Sequence, residues 1–123
     1  MRQALVVDDS SVIRKIARQM LERMQFQVRE ADDGVTATSA CADTMPDVIL
    51  LDWNMPIMSG IDFLAELRQM PGGAKPKVVF CTTENGIASI QRAINAGADE
   101  YIMKPFDEFI VREKLEQIGF EVG

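Results

Sequence analysis

Five side chains capable of polar chemistry stand directly after apolar segments that are far apart in the chain. They are Asp8, Asp9, Asp52, Thr82 and Lys104. The preceding segments have the composition of buried strands, so these residues should lie at the carboxyl ends of strands. In an open parallel sheet such ends meet in one crevice, and ligands bind there. The pattern predicts a pocket for a divalent cation and a phosphoryl group.

Three carboxylates in one pocket need a positive counter-charge. Two carboxylates about 5 Å apart repel each other by roughly 3 kcal/mol at an effective dielectric constant of 20. Oxygen ligands select a hard cation, and Mg²⁺ is bound through few carboxylates together with several waters. The ammonium of Lys104, whose backbone is restricted by the following Pro105, would offset charge and reach a phosphoryl oxygen.

Each of these residues has a plainer interpretation when it is taken alone. An Asp-Asp pair such as Asp8-Asp9 is more often a solvated turn or a helix cap. Lys104 by itself is more typical of an exposed loop, and Thr82 of an ordinary strand end. A similar apolar run precedes both Asp8 and Asp52, and this repetition favours a shared site.

The composition is typical of a single globular domain. The chain has 123 residues, of which 47% are apolar and 26% charged, and we expect residues 1–123 to form one domain without an output domain. No apolar run approaches the roughly 20 residues that span a bilayer, and the first run is too short for a signal peptide. We therefore expect a cytoplasmic protein without membrane insertion. The formal charge of −6 disfavours nucleic acid as a ligand.

Histidine is absent from the chain. This excludes zinc sites built on histidine, histidine-assisted serine or cysteine nucleophiles, and histidine phosphoacceptors. Cys41 and Cys81 are far apart and show no metal-ligand spacing. Since Cys81 lies within an apolar strand pattern, we expect it to be a buried, reduced thiol.

The hydrophobic pattern alternates between strand and helix five times. Strands are predicted at 4–7, 26–31, 48–51, 77–81 and 100–103, with the second at a sheet edge because its pattern alternates. Helices are predicted from 11 to about 24, at 35–43, from a Ser59 cap to Met70, at about 85–96 and from 106 to about 118. This order implies right-handed crossovers and helices on both faces of a sheet.

The helical periods also assign side chains to faces. In the last helix, Phe109, Ile110 and Leu115 are predicted to point inward. Three isoleucines share one face of the fourth helix, either all as core residues or with one exposed for a partner: Ile87, Ile90 and Ile94.

Several short motifs stand in a characteristic order and spacing. They are Val7-Asp8-Asp9-Ser10, Glu30-Ala31-Asp32-Asp33-Gly34, Asp52-Trp53-Asn54-Met55-Pro56, Gly60, Thr82, Glu84, Ala96-Gly97-Ala98, Tyr101 and Lys104-Pro105-Phe106. Over its entire length the chain resembles the receiver domain of two-component response regulators, most of all the stand-alone chemotaxis type, CheY. The resemblance implies a doubly wound, flavodoxin-like α/β fold with five helices and a five-stranded parallel sheet of order 2-1-3-4-5.

The resemblance also implies a phosphoacceptor and its metal. Asp52 would attack a phosphohistidine on a partner histidine kinase and form an aspartyl phosphate. Asp9, Asp52 and the backbone carbonyl of Asn54 would bind Mg²⁺, while Asp8 would act through metal-bound water. In phosphoryl transfer of this kind, positioning and charge neutralisation supply most of the catalysis.

The same resemblance implies a switch. Lys104 and the Thr82 hydroxyl would hold phosphoryl oxygens, and Tyr101 would turn into the space that Thr82 vacates. The surface of the fourth helix, fifth strand and fifth helix would then change its contacts with a downstream protein. Such a domain catalyses only its own phosphorylation and dephosphorylation and is otherwise not an enzyme.

Three positions are expected to set the lifetime of the phosphorylated state. Asn54 and Glu84 occupy positions that tune attack by water in similar proteins, which suggests a short-lived signal. Thr83 departs from the family, because a smaller residue is common there, and its γ atoms would narrow access to the phosphoryl group.

A second departure concerns the downstream partner. The motor-binding relative has a lysine pair where this chain has Gly86-Ile87, whereas Lys114 matches a basic position of that relative in the last helix.

Control of chemotaxis or motility is the leading interpretation of the sequence. We expect a monomer whose downstream target is the flagellar switch or another signalling protein. The alternatives within the family are a cell-cycle or stress regulator of the DivK kind, a phosphate sink that drains a kinase, and a receiver excised from a longer transcription factor. A phosphatase of the haloacid-dehalogenase type also uses a nucleophilic aspartate and Mg²⁺. That class needs a second aspartate two residues later, where this chain has Asn54.

Overall fold

The computed structural model describes residues 1–55, 57–83 and 87–122. The strands are β1 (Gln3–Val7), β2 (Gln27–Ala31), β3 (Val48–Asp52), β4 (Lys77–Thr82) and β5 (Glu100–Met103). The helices are α1 (Ser11–Arg23), α2 (Gly34–Asp43), α3 (Gly60–Gln69), α4 (Ile87–Asn95) and α5 (Glu108–Gln117). All strand pairs are parallel and the sheet order is β2-β1-β3-β4-β5, which confirms the predicted fold.

The core lies on both faces of this sheet. Strands β1, β3 and β4 are buried almost throughout, which explains their unbroken apolar sequences. One hydrophobic cluster lies under α1 and α5, and the other under α2, α3 and α4. Strand β2 lies at an edge with Gln27 exposed and Val28 buried, in agreement with its alternating pattern. None of the described helices is long and apolar enough to cross a membrane.

Short polar side chains fix where the helices begin. Ser10 accepts a hydrogen bond from the Ile13 amide, and Ser59 caps α3 in the same way. Asp33, predicted only as part of a turn, caps α2.

The last helix departs from its predicted start and orientation. Asp107 caps it, so α5 begins at Glu108 instead of Phe106. Phe109 was predicted to point inward, and this was wrong, since 69% of it is exposed. Val111 and Leu115, four residues apart, face the core. Phe109 is six residues from Leu115 and therefore lies about 120° around the helix from it. Ile94 of α4 is likewise 46% exposed, which leaves it accessible to a partner.

A glycine allows α3 to start directly against the end of β3. The Gly60 amide donates to the Trp53 carbonyl over 3.0 Å. A Cβ atom at Gly60 would lie 2.3 Å from the Asp52 carbonyl oxygen and 2.8 Å from the Phe80 ring. A residue without a Cβ atom is therefore needed where α3 approaches Asp52 at the sheet edge.

Both cysteines are buried, as expected for Cys81, and we predict that neither reacts in the native state. Burial raises the pKa of the Cys41 thiol to about 11 and that of Cys81 to about 12. The thiolate is the reactive form, so labelling by a disulfide reagent at pH 8 should be at least about a hundredfold slower than in denaturant. Colour development on adding 5,5′-dithiobis(2-nitrobenzoate) measures the rate, and equal rates in the two states would contradict this assignment.

Candidate functional site

The predicted polar residues meet at the carboxyl edge of the sheet. Asp8 follows β1, Asp52 ends β3, and Lys104 follows β5. One carboxylate oxygen from each of Asp8, Asp9 and Asp52 lies within 4.8 Å of the other two. We refer to these three residues as the acidic pocket. Asp8 and Asp52 are buried whereas Asp9 is exposed, so the pocket opens to solvent on the Asp9 side.

Lys104 bridges the two buried carboxylates. Its Nζ atom donates to Asp8 Oδ2 over 2.8 Å and to Asp52 Oδ1 over 2.9 Å. Its side chain is only 18% exposed. The Lys104 amide also donates to the Thr82 carbonyl over 2.8 Å, which fixes the backbone where the chain leaves β5. Strand pairing therefore places this ammonium in the pocket.

The protonation tendencies follow from burial and charge. Burial raises the pKa of Asp52, and the hydrogen bond from Lys104 offsets this only in part, while the Asp8 charge raises it further. Burial would lower the pKa of Lys104, but its bonds to Asp8 and Asp52 outweigh burial and raise it. Lys104 is therefore charged at neutral pH, and one ammonium faces three carboxyl groups.

The loop after β1 is held by further hydrogen bonds. The Ser10 amide donates to Asp8 Oδ1 over 2.9 Å, and Arg14 Nη1 donates to the Asp8 carbonyl over 2.7 Å. Arg14 Nε also pairs with Glu30 of β2 over 3.0 Å. Sequence reasoning missed this role of Arg14. Its signal was a basic residue in the first turn of α1, beside an edge strand that carries a carboxylate.

The donor set of the acidic pocket fits a hard divalent cation. All three side chains offer carboxylate oxygens, which is the ligand type that such ions take. Lys104 supplies one positive charge for three carboxyl groups, and a cation among the close oxygens would offset the remaining repulsion. Asp8, Asp9 and Asp52 are the described side chains placed to hold it.

The other predicted site residues surround this pocket. Thr82 is buried at the end of β4, while Thr83 and Asn54 are exposed in the loops after β4 and β3. Tyr101 lies half-buried on β5, paired in register with Phe80. Glu84, predicted to tune hydrolysis, lies outside the described residues, as does Pro56 of the same sequence motifs.

A family model described as the response regulator receiver domain matches residues 4–116. The chain therefore belongs to the response regulator receiver domain family and forms part of a two-component signalling system.

The chain is similar over most of its length to receivers that are named as chemotaxis proteins. Chemotaxis protein CheY1 of Helicobacter pylori is 41% identical over 118 residues, which cover 93% of this chain and 94% of that protein. Chemotaxis protein CheY-3 of Vibrio cholerae is 38% identical over 115 residues, covering 93% of this chain and 88% of the relative. The solved structure of V. cholerae chemotaxis protein CheY4 has a TM-score of 0.91 at 30% identity, covering 96% of this chain and 98% of the other.

We predict that Lys104→Met lowers the free energy of unfolding by about 3 kcal/mol in metal-free buffer, because it leaves buried carboxylates without their cation. Urea unfolding monitored by circular dichroism in EDTA provides the measurement. The matched control is Lys75→Met, which removes an exposed ion pair to Asp47 of 3.5 Å and should cost less than about 1 kcal/mol. Equal losses in the two variants would refute the role given to Lys104.

We predict that Asp52→Asn stabilises the metal-free protein at pH 7.5 by about 1–3 kcal/mol, since it removes one of three crowded carboxylates. The pKa of Asp52 is raised on folding, so the wild type binds more protons folded than unfolded. Its stability then falls as the pH rises from the ordinary pKa through the raised one. The advantage of Asp52→Asn should shrink at pH 4.5, and chemical denaturation at both pH values tests this. A less stable variant at pH 7.5 would contradict the charge balance described here.

Proposed function

We propose that this receiver is a Mg²⁺-dependent phosphorylation switch that accepts a phosphoryl group on Asp52 from a histidine kinase. The observation that carries the proposal is the hydrogen bonding of Lys104 to Asp8 and Asp52 within a pocket of three carboxyl groups. A buried carboxylate beside both a cation-binding donor set and a fixed ammonium has the surroundings that phosphoryl transfer requires.

In the transfer step, an Asp52 carboxylate oxygen attacks the phosphorus atom of the phosphohistidine. The phosphorus–nitrogen bond breaks, the imidazole leaves, and an acyl phosphate forms on Asp52. Lys104 holds Oδ1 of this carboxylate, which orients the other oxygen for attack. Asp9, Asp52 and the Asn54 carbonyl would hold Mg²⁺, with Asp8 acting through water, and the bound cation would supply positive charge to the phosphoryl oxygens.

After transfer, Lys104 and the Thr82 hydroxyl hold the phosphoryl oxygens. Thr82 moves toward the new group, and the ring of Tyr101 turns toward the space beside it. This changes the surface formed by α4, β5 and α5, which binds the downstream protein. A change of the active fraction from 1% to 99% requires about 5.5 kcal/mol of preferential stabilisation of the active state. We assign this stabilisation to the contacts that the phosphoryl dianion would make with Mg²⁺, Lys104 and Thr82.

The residues around the pocket set the lifetime of the signal. We assign Asn54 and Glu84 to tuning the attack of water, and Thr83 to narrowing access to the phosphoryl group. Thr83 is exposed and lines the groove beside Lys104, which supports that assignment. In this proposal the receiver catalyses only its own phosphorylation and dephosphorylation.

Chemotaxis or motility is the process that we propose, because the similar receivers carry the names of chemotaxis proteins. The partners are then a histidine kinase and a downstream protein such as the flagellar switch, and the receiver acts as a cytoplasmic monomer. A DivK-like regulator or a phosphate sink would use the same pocket and differ only in the partner.

We predict that Asp52→Asn abolishes phosphorylation. Wild-type protein with radiolabelled phosphohistidine kinase and Mg²⁺ should become labelled, and the label should fall at least a hundredfold in Asp52→Asn or in excess EDTA, because the nucleophile or the cation is removed. The matched control is Asp43→Asn, an exposed carboxylate at the end of α2, which should label like the wild type.

Label retained by Asp52→Asn would show that the acceptor is a different residue. Turnover on an aryl phosphate separates the switch from a phosphatase. A switch gives at most slow hydrolysis limited by its own dephosphorylation, whereas sustained rapid turnover of the aryl phosphate would favour the phosphatase.

A further inference from the structure

Tyr101 lies between two spaces of very different size. On its inner side is an apolar cavity of about 10 Å³ lined by Trp53, Phe80, Thr82, Ser89, Ile90 and Ala93. That volume corresponds to about one water-sized sphere. On its outer side is a groove of about 290 Å³ between β5 and α5. Tyr101 lines both spaces, whereas Lys114 lines only the groove, so the ammonium contacts the ring from the groove side. An inward turn of the ring requires the lining of the inner cavity to move, because the cavity as it stands is smaller than a phenol ring.

Two charged residues hold the ring in this position. Lys114 of α5 places Nζ 5.1 Å from the centroid of the Tyr101 ring, within cation–π range. The same Nζ lies 3.5 Å from Glu100 Oε1. This carboxylate oxygen also accepts a hydrogen bond of 3.0 Å from the Tyr101 amide. Glu100 therefore ties the lysine to the backbone of the residue whose ring it covers.

The arrangement is partly shielded from solvent. The side chains of Lys114 and Glu100 are 23% and 20% exposed, less than in the outer ion pair of Lys75 with Asp47, where the values are 59% and 31%. Ile110, one turn before Lys114, lines the same groove. Shielding reduces screening by water and salt, so the contacts gain strength relative to a fully exposed pair.

We propose that Glu100 and Lys114 are positioning residues that hold the Tyr101 ring on the groove side and oppose its inward turn. An inward turn removes the ring from the ammonium and gives up the cation–π contact. We call Glu100 and Lys114 the clamp. The clamp therefore biases the unphosphorylated receiver toward the conformation in which the Tyr101 ring points to the groove. Its link to signalling rests on the proposed function, whereas the clamp itself is a property of the unphosphorylated protein.

The clamp also couples the ring to whatever binds α5. Lys114 has one ammonium, and a carboxylate on a partner that pairs with it competes with Glu100 and with the ring. An acidic partner segment in the groove would therefore weaken the clamp as it binds. By linkage, release of the ring would strengthen binding of that segment by the same factor.

The test uses the single tyrosine of the chain. Incorporation of 3-fluorotyrosine gives one ¹⁹F resonance, and its shift difference between H₂O and D₂O reports the solvent exposure of the Tyr101 ring. In metal-free, unphosphorylated protein, Lys114→Met should move the ring inward and reduce this difference. We expect the ratio of inward to outward populations to rise about two- to fivefold, the range for a partly exposed cation–π contact and ion pair.

Two variants separate positioning from a general loss of charge. Lys114→Arg keeps a cation over the ring and should behave like the wild type. Lys75→Met removes an ion pair of the same 3.5 Å length, to Asp47 and remote from the ring in the described structure, and should leave the resonance unchanged. A wild-type ring exposure in Lys114→Met, or an equal change in Lys75→Met, overturns the proposal.

A second arm links the clamp to the switch. With Mg²⁺ and beryllofluoride as the phosphoryl mimic, Lys114→Met should bind the mimic about two- to fivefold more tightly than the wild type. In this variant, binding of the mimic no longer has to break the contact between Lys114 and the Tyr101 ring. If the ring moves in Lys114→Met but the affinity for beryllofluoride does not change, the clamp stands and the proposed switching role of Tyr101 fails. If the ring does not move while Asp52 is still phosphorylated, the clamp fails and the phosphoacceptor assignment stands.

Discussion

The burial of one ammonium between two carboxylates is the interaction on which this site depends. Lys104 is tied to Asp8 and Asp52 by hydrogen bonds of 2.8 and 2.9 Å, and all three side chains are largely removed from water. Such a group is tolerated only while its charges are compensated. The pocket therefore favours an occupant of positive charge, and the proposed phosphoryl transfer depends on this incomplete compensation.

The sheet supplies the accuracy that this interaction needs. Asp8 and Asp52 extend from the adjacent strands β1 and β3. Lys104 follows β5, which lies two strands from β3, and its amide donates to the Thr82 carbonyl. Gly60 lets α3 close on the end of β3 without a clash. The carboxylates of Asp8 and Asp52 are thus carried by strands that are buried almost throughout, while Asn54 and Thr83 lie in exposed loops.

Much of this arrangement could be predicted because it depends on patterns that are local in sequence. Continuous apolar strands identified β1, β3 and β4, and the parallel direction that these strands share with β5 placed Asp8, Asp52 and Lys104 together. The orientation of α5 was harder, since Phe109 and Leu115 are both apolar but six residues apart, so that they cannot share one face of the helix. The apolar character of Phe109 favoured the core, but the helix buries Val111 and Leu115 instead.

Long-range pairs could not be predicted from such patterns. Contacts such as Arg14 with Glu30, or Lys114 with the ring of Tyr101, join residues whose mutual orientation is known only once the strands and helices have packed. Charged residues on exposed helices usually have no fixed partner. Their sequence therefore carries little signal that distinguishes a structural or positioning role from a solvated one.

The edge strand β2 has a consequence for how this protein tolerates crowding. Arg29 donates to the carbonyls of Ala40 and Thr44, and Glu30 binds the guanidinium groups of Arg14 and Arg18. Paired charges along a free edge discourage another polypeptide from adding itself as an extra strand. The sheet thus ends in a salt-bridged border, which disfavours self-templated aggregation of this receiver.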